Sequence, residues 1–271
     1  MPELPEVETV VRDLRPRLVG RRLVSVHWGP KPLRRSWPAV AVQRLRGSRV
    51  ESIQRRGKWI LVFCDQGQAL RIHLGMTGQL TVVPRSEPPF DHIHWWAELD
   101  NGWQWRLRDV RRFGSVEWFA QREEALAELE QKLGPEPLAL PAGYLPRIVG
   151  RSHRCLKAVL LDQRIVAGIG NIYADEALFR AGLHPARRAV SLSAQEWEQL
   201  RRAIRDVLRQ AVQARGSTIR DYIGGSGLQG KYQERLMVYG RRGGPCSRCK
   251  TPIAHLRLAG RTSHFCPACQ K

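Results

Sequence analysis

No run of the sequence is apolar for the roughly 20 residues that cross a bilayer. Nor does the chain open like a secretory leader, since Pro2 and Glu3 stand where a basic and then an apolar segment would be needed. A cytoplasmic protein is expected, not a membrane-spanning or exported one. Acidic residues are scarce: 25 Asp and Glu face 45 Lys and Arg, which leaves the 271-residue chain with a formal charge of +20. A field of that sign attracts polyanions, nucleic acid before others. The cations are dispersed and form no polybasic tail, so a membrane surface is the weaker partner. Internal repeats and low-complexity tracts are missing. Of six cysteines, Cys64 sits in an apolar strand-like run and Cys155 beside Leu156, both expected to be reduced core residues; the other four are grouped further along.

What remains suffices for two ordinary domains, with 42% hydrophobic residues. Residues 3–19 place Val7, Val10, Val11, Leu14 and Leu18 at helical spacing, with Pro2 and Pro5 at the start and Gly20 beyond the end, and predict an N-terminal amphipathic helix. Residues 23–119 alternate short β-rich runs, such as 59–64, 69–74 and 93–99, with Gly and Pro, the pattern of a β-sandwich or barrel. Eight of the nine Trp fall in this stretch and are read mostly as core. A helical stretch at 122–133 leads into Gly134-Pro135-Glu136-Pro137 and Pro141-Ala142-Gly143, a composition that marks a connection between domains. Beyond it, 174–181 and 194–214 read as helices. The second turns Trp197, Leu200, Ile204, Val207 and Leu208 inward and carries Arg201, Arg202, Arg205 and Arg209 on a face expected to be solvated. The fold class expected is α+β, with domains 1–133, 134–235 and 236–271.

The most specific motif is Cys246-x2-Cys249-x16-Cys266-x2-Cys269. Two thiolate pairs at this spacing make a tetrahedral zinc site, and four protein ligands leave the ion no open position, so its role is structural. A disulfide pair and a redox-active Cys-x-x-Cys are the competing readings, and both suit a basic cytoplasmic chain less well. The ion would hold a hairpin of 253–258 and 262–265 with Arg261 near its turn, where it can meet a phosphate.

At the other end, the Pro and Glu of Met1-Pro2-Glu3-Leu4-Pro5-Glu6 suit the first turn of a helix. A small residue after Met1 also lets Met1 be trimmed, and the secondary amine then left at Pro2, beside two carboxylates, can attack carbon. A free α-amino group has a pKa of about 8, so a useful fraction is neutral near pH 7. Three turns in the β-rich stretch add to this. Gly57-Lys58-Trp59 puts a lysine on a hairpin turn, and His73-Leu74-Gly75-Met76-Thr77-Gly78 holds a methionine between glycines. Arg111-Arg112-Phe113-Gly114 sets a bulky ring beside two cations, as expected of a wedge that enters a base stack while Arg fills the gap. Taken singly, Met76 and Phe113 read as core; together they favour the wedge. Gly168-Ile169-Gly170-Asn171 is a glycine turn ahead of a helix, where Asn171 is suited to cap and the amides can bind a phosphate. Arg151, Arg154 and Lys157 upstream read as a solvated basic face.

With PELPEVE at the start, GKW, HLGMTG and RRFG in the turns, GIGNIYADE and the four-cysteine finger in that order, the chain from Pro2 to Lys271 resembles the formamidopyrimidine-DNA glycosylases. These bacterial enzymes remove oxidised purines such as 8-oxoguanine. The resemblance implies a β-sandwich with an N-terminal helix, joined to a helix-two-turn-helix domain that ends in a zinc finger. It places duplex DNA in the cleft between them, with the damaged base flipped out. It implies that Pro2 attacks the anomeric carbon of the lesion nucleotide to form a Schiff base, that Glu3 protonates the deoxyribose ring oxygen and that Glu6 is a supporting carboxylate. Lys58 matches a proton donor and phosphate contact in β-elimination, and Arg261 a phosphate-binding residue tied to δ-elimination. The products are free base and a nicked strand. Met76, Arg111 and Phe113 match residues that fill the vacated stack and probe the opposite base; His92, Lys157 and Asn171 match DNA contacts. The implied cofactor is one structural Zn2+ ion, the implied partner is damaged double-stranded DNA, and the protein is expected to be a nucleoid-associated monomer with no membrane contact.

The sequence departs from the family at Phe90, where many relatives have a second His before Asp91-His92, and a lesion-covering loop is expected within 217–230. Leu4 separates the chain from endonuclease VIII-like enzymes for oxidised pyrimidines, which usually begin PEGPE. A reading of another class is a non-catalytic zinc-finger protein that senses distorted duplex. The retained Pro2, Glu3 and Lys58 argue against it.

Overall fold

The computed structural model describes residues 1–33, 38–218 and 229–271. The chain divides into two units, Met1–Gln131 with Ala214–Lys231, and Lys132–Gln213 with Tyr232–Lys271. Nothing in the hydropathy marks the return of residues 214–231 to the first unit.

In the first unit, α1 (Leu4–Leu18) precedes β1 (Leu23–Trp28), α2 (Ala39–Leu45), β2 (Val50–Arg56), β3 (Trp59–Cys64) and β4 (Ala69–His73). Then come β5 (Gly78–Pro84), β6 (Ile93–Leu99), β7 (Trp103–Asp109), β8 (Ser115–Phe119) and α3 (Arg122–Lys132). The strands form two antiparallel four-stranded sheets, ordered β1-β6-β7-β5 and β2-β3-β4-β8, which settles the architecture as a sandwich. Alternate residues point inward: Leu80, Val82, Trp95, Ala97 and Trp105 from one sheet, and Ile53, Ile60, Val62, Leu70 and Ile72 from the other. Val7, Val10, Val11, Leu14 and Leu18 of α1 join the same cluster. At about 1.5–3 kcal/mol for each large apolar side chain buried, this face anchors α1 and with it the residues at its start. The outer face of the second sheet is covered as well. Buried Arg71 on β4 pairs with Glu117 and with Glu128 of α3, its guanidinium lying 4.5 Å from the Phe119 ring and 5.2 Å from that of Trp59.

Most of the tryptophans are not core, contrary to the expectation. Among the described residues of this unit only Trp95 and Trp105, in edge-to-face contact at 4.8 Å, are buried, and Trp118 packs partly buried against the core. Trp28 and Trp103 end their strands exposed, Trp96 stacks on His27 on an outer face, and Trp37 lies outside the described residues. A strand has two faces, and composition does not say which one a tryptophan takes. Cys64 is buried, and burial, with Asp65 and Glu51 nearby, pushes its thiol up to about 12. Cys155, the extended residue just before a helix, is only half-buried rather than core.

The second unit contains α4 (Tyr144–Val149), α5 (Leu156–Leu161), α6 (Asn171–Ala181), α7 (Ala194–Gln213) and a hairpin of β9 (Ala254–Leu258) and β10 (Arg261–Phe265). The two shortest helices are too brief to leave a periodic signature in the sequence. Helix α7 buries Trp197, Leu200, Ile204, Val207 and Leu208. On its outer face Arg201 and Arg202 both bond Glu198, so much of that charge is paired within the helix. Among the described residues no helix is long and apolar enough to cross a membrane.

Candidate active site and metal centre

Pro2, Glu3 and Glu6 are buried at the head of α1, while Met1 is half exposed. Glu3 is the extended residue before the helix, and its backbone N–H donates to Glu6 Oε2 at 2.8 Å, the return bond of a capping box. The other oxygen, Oε1, accepts the Ser217 N–H at 2.7 Å. A carboxylate bonded on both oxygens has a fixed orientation, and the positive end of the helix favours its charge. Glu6 therefore shapes the turn from which Pro2 and Glu3 project. One turn on, Glu8 bonds Arg55 and Arg12; burial pulls its pKa up, but the two guanidiniums outweigh this and hold it below the usual carboxylate range.

Arg55 also donates to the Gly57 carbonyl at 3.1 Å and so braces the β2–β3 turn. Gly57, at φ +56°, occupies the first central position of that two-residue turn, where a residue with a Cβ would be strained. Lys58 follows and is nearly buried, at 7% exposure.

Met76 and Phe113 are both exposed, at 37% and 47%, which removes the core reading for each. The turns that carry them are held together by one residue that the sequence did not single out. Asp109, fully buried at the end of β7, accepts the Thr77 hydroxyl on Oδ1 and the Gly114 N–H on Oδ2 at 2.7 Å. The Arg111 N–H lies 3.1 Å from the Thr77 hydroxyl and 3.3 Å from Asp109 Oδ1. The turns also touch directly: a Cβ on Gly75, which has φ +59°, would fall 2.5 Å from Phe113 C and Gly114 N. Arg111 is folded over the Phe113 ring at 4.7 Å. His92, exposed and at φ +69°, is tied to the same place, since its carbonyl accepts the Asp109 N–H at 2.9 Å. Phe90 is 64% exposed.

Replacing Asp109 with Ala strands the buried Gly114 N–H, at about 1–3 kcal/mol, and removes the carboxylate that the two turns share. Asp109→Ala is expected to lower the melting temperature by several degrees. If the turns carry the stacking wedge that the family resemblance implies, it should also weaken the fluorescence rise of 2-aminopurine placed beside a lesion, by at least severalfold. A full-strength signal would mean that the turns need no common anchor.

In the second unit two expectations are corrected. Asn171 does not cap α6: Gly170 takes that position, and the Asn171 side chain instead donates to the Thr262 carbonyl of β10 at 3.0 Å. Lys157 is not on a solvated face. It is wholly buried, with its ammonium on Asp175 Oδ1 and on the Asn171 carbonyl at 2.9 Å. Its charge is spent on fixing the glycine turn rather than offered to a phosphate. Asp175 joins the two sides, since its Oδ2 accepts the His264 N–H at 2.9 Å. Nearby, Glu176 accepts the backbone N–H groups of Met237, Val238 and Tyr239, and burial raises its pKa in spite of those bonds. Arg261 is exposed at the first position of β10, after a tight turn in which Ala259 and Gly260 both have positive φ.

The sulfurs of Cys246, Cys249, Cys266 and Cys269 all lie within 4.8 Å of one another, with Cys246–Cys269 at 3.9 Å and Cys249–Cys266 at 3.4 Å. Thiolates at about 2.3 Å from one tetrahedral zinc would stand about 3.8 Å apart, so the quartet fits that ion. The Thr251 hydroxyl and N–H help lower Cys249 to about 6, whereas Cys269, beside the other thiols, is pushed up to about 12.

Three family models match successive stretches of the chain. Residues 1–116 match the family model described as Formamidopyrimidine-DNA glycosylase N-terminal domain, 133–222 its H2TH domain, and 243–271 the zinc finger found in FPG and IleRS. The chain belongs to the formamidopyrimidine-DNA glycosylase family. The family member of that name from Herpetosiphon aurantiacus is 43% identical over 275 residues, covering 100% of both chains. The MutM (Fpg) structure from Thermus thermophilus superposes with a TM-score of 0.87 at 42% identity, over 99% of this chain and 98% of that one. The wild-type Lactococcus lactis Fpg in complex with an N7-benzyl-Fapy-dG-containing DNA gives 0.89 at 34% identity, over 100% of both. Membership of the formamidopyrimidine-DNA glycosylases settles the metal: the zinc-finger match spans all four cysteines, and the centre holds one structural zinc. Of the loop expected within 217–230, residues 219–228 lie outside the described residues.

Proposed function

We propose that this chain is a bifunctional DNA glycosylase and abasic-site lyase that excises oxidised purines, 8-oxoguanine and formamidopyrimidines, from duplex DNA and then nicks the strand. The observation that carries this reading is the head of α1, where a Glu6 carboxylate bonded on both oxygens fixes Glu3 beside Pro2. With Met1 removed, the Pro2 nitrogen forms a bond to C1′ as the glycosidic bond breaks; the base leaves with that bond's electron pair and takes up the proton that the nitrogen loses. Glu3 gives its proton to the ring oxygen as the C1′–O4′ bond opens, leaving a Schiff base. Loss of a C2′ proton then expels the 3′ phosphate by β-elimination, with Lys58 as proton donor and phosphate contact; δ-elimination, with Arg261 on the phosphate, releases the 5′ side. Met76, Arg111 and Phe113 occupy the space left by the flipped nucleotide. His92 and Asn171 contact the backbone, and Lys157 acts by supporting the Asn171 turn. Zinc takes no part in these steps; it holds the hairpin that carries Arg261. The protein works as a monomer in the cytoplasm, on the nucleoid.

Borohydride reduces a Schiff base to a stable amine, so processed protein and a duplex containing 8-oxoguanine should yield a trapped complex. A matched duplex with an oxidised pyrimidine should be processed more slowly. Faster excision of the pyrimidine would assign the endonuclease VIII-like specificity, and duplex binding without any trapping would leave a damage sensor rather than an enzyme.

A further inference from the structure

Directly after α7, Arg215 adopts φ +63°, a backbone conformation that residues with a Cβ rarely take. Its Nη2 donates to both carboxylate oxygens of Asp13 on α1, at 2.8 and 2.7 Å, and the Asp13 side chain is only 8% exposed. Gly216 follows at φ +77°, and here glycine is required by space as well, because a Cβ would fall 2.7 Å from Glu6 Oε1. The next N–H, that of Ser217, is the one that bonds this same oxygen. Two successive left-handed residues thus turn the chain so that one backbone amide meets the carboxylate that shapes the head of α1. The arrangement is closed from the other side: Lys231 N–H donates to the Ala214 carbonyl at 2.9 Å and Gly230 N–H to Thr218 Oγ1 at 2.8 Å. Helix α1 does not need these bonds to stay in place, since its apolar face is already in the core. An observed backbone outlier of this kind, held by an ion pair and joined through Glu6 to the head of α1, calls for a functional account.

We propose that Arg215 and Asp13 form a positioning pair for the reaction. Their ion pair holds the left-handed turn at 215–216, the turn seats the Ser217 amide on Glu6, and Glu6 fixes the geometry from which Pro2 and Glu3 act. Neither residue touches substrate. The proposal rests on the reading of Pro2 as nucleophile, and it gives Glu6 a stated task, that of a relay between the turn and the amine.

The test is single-turnover trapping with borohydride, on a duplex containing 8-oxoguanine and on one with a preformed abasic site. Arg215→Ala is expected to slow trapping on both about tenfold, as a displacement of well under 1 Å would do, while the affinity for duplex and its salt dependence stay unchanged. Arg215→Lys keeps a cation within reach of Asp13 and should restore most of the rate. Asp13→Asn, close in shape and without the charge, should be as slow as Arg215→Ala, and the double variant no slower than either alone, because one shared interaction can be lost only once. Additive losses would overturn the proposal. So would a salt slope reduced by about one unit, which would make Arg215 a phosphate contact instead. Should Arg215→Ala fold poorly, Asp13→Asn carries the same comparison. A wild-type rate in the variants, with normal trapping by the parent, overturns this proposal alone; a parent that traps nothing overturns the reading of Pro2 and this proposal with it.

Discussion

Protein that keeps Met1 is expected to bind damaged duplex as well as processed protein does and to give no covalent complex with borohydride. The reason lies in one bond. While Met1 is attached, the nitrogen of Pro2 belongs to a planar amide whose lone pair is delocalised, and it cannot attack carbon. The free amine is then that of Met1, one residue away, and consecutive Cα atoms are about 3.8 Å apart. A misplacement of about 1 Å can already cost about 10²-fold, so the loss should exceed that and fall below detection. Pro2→Glu, whose bulky second residue prevents trimming of Met1, provides the comparison, with retention checked by mass spectrometry. Glu3→Gln separates the next step: the amine remains, the proton donor is gone, and excision should slow by about 10²–10⁴-fold with binding intact. Both glutamates pack at the head of α1, so melting curves must accompany the rates. Undiminished trapping by Met1-retaining protein would move the nucleophile to a lysine, and sequencing the trapped peptide would identify which one.

How far the sequence could be read depended on whether each feature has a local cause. Helix α1 was legible because its buried residues repeat at helical spacing, and the cysteine quartet because one tetrahedral ion dictates the spacing of its ligands. Met76 and Phe113 were legible as exposed because glycines in both turns exclude ordinary strand packing. Asp109 was not, since its role depends on receiving Thr77 from another strand end and Gly114 from the next turn. Lys157 and Asn171 were misread for the same reason. The partner of the first is Asp175, 18 positions away, and that of the second is the Thr262 carbonyl, 91 positions away. A basic residue upstream of a glycine turn looks like a surface cation until the carboxylate that buries it is known. Arg215 carried no signal either, because a positive φ at a residue other than glycine leaves no mark in composition.

Removal of the zinc is expected to unfold the hairpin while the β-sandwich unit persists. The apolar core within residues 243–271 is small: Ile253 and Phe265 are buried, but Leu256 and Leu258 are only half-buried. Zinc binding in small structural sites is worth about 10–16 kcal/mol near neutral pH, more than these two buried side chains supply at about 1.5–3 kcal/mol each. Cys266→Ser, at a fully buried ligand position, should therefore lower the zinc content from one ion per chain. It should split thermal unfolding into two steps and release both the Asn171–Thr262 bond and Arg261 from their frame. Duplex affinity is expected to fall at least tenfold, with a shallower salt dependence as the Arg261 contact is lost. Cys64→Ser is the control: this thiol is buried in the sandwich core, outside the quartet, and its loss should leave zinc content and salt dependence as they were. If Cys266→Ser instead kept one zinc per chain, a single transition and full affinity, the four cysteines would not be the ligands and the hairpin would owe its structure to packing alone.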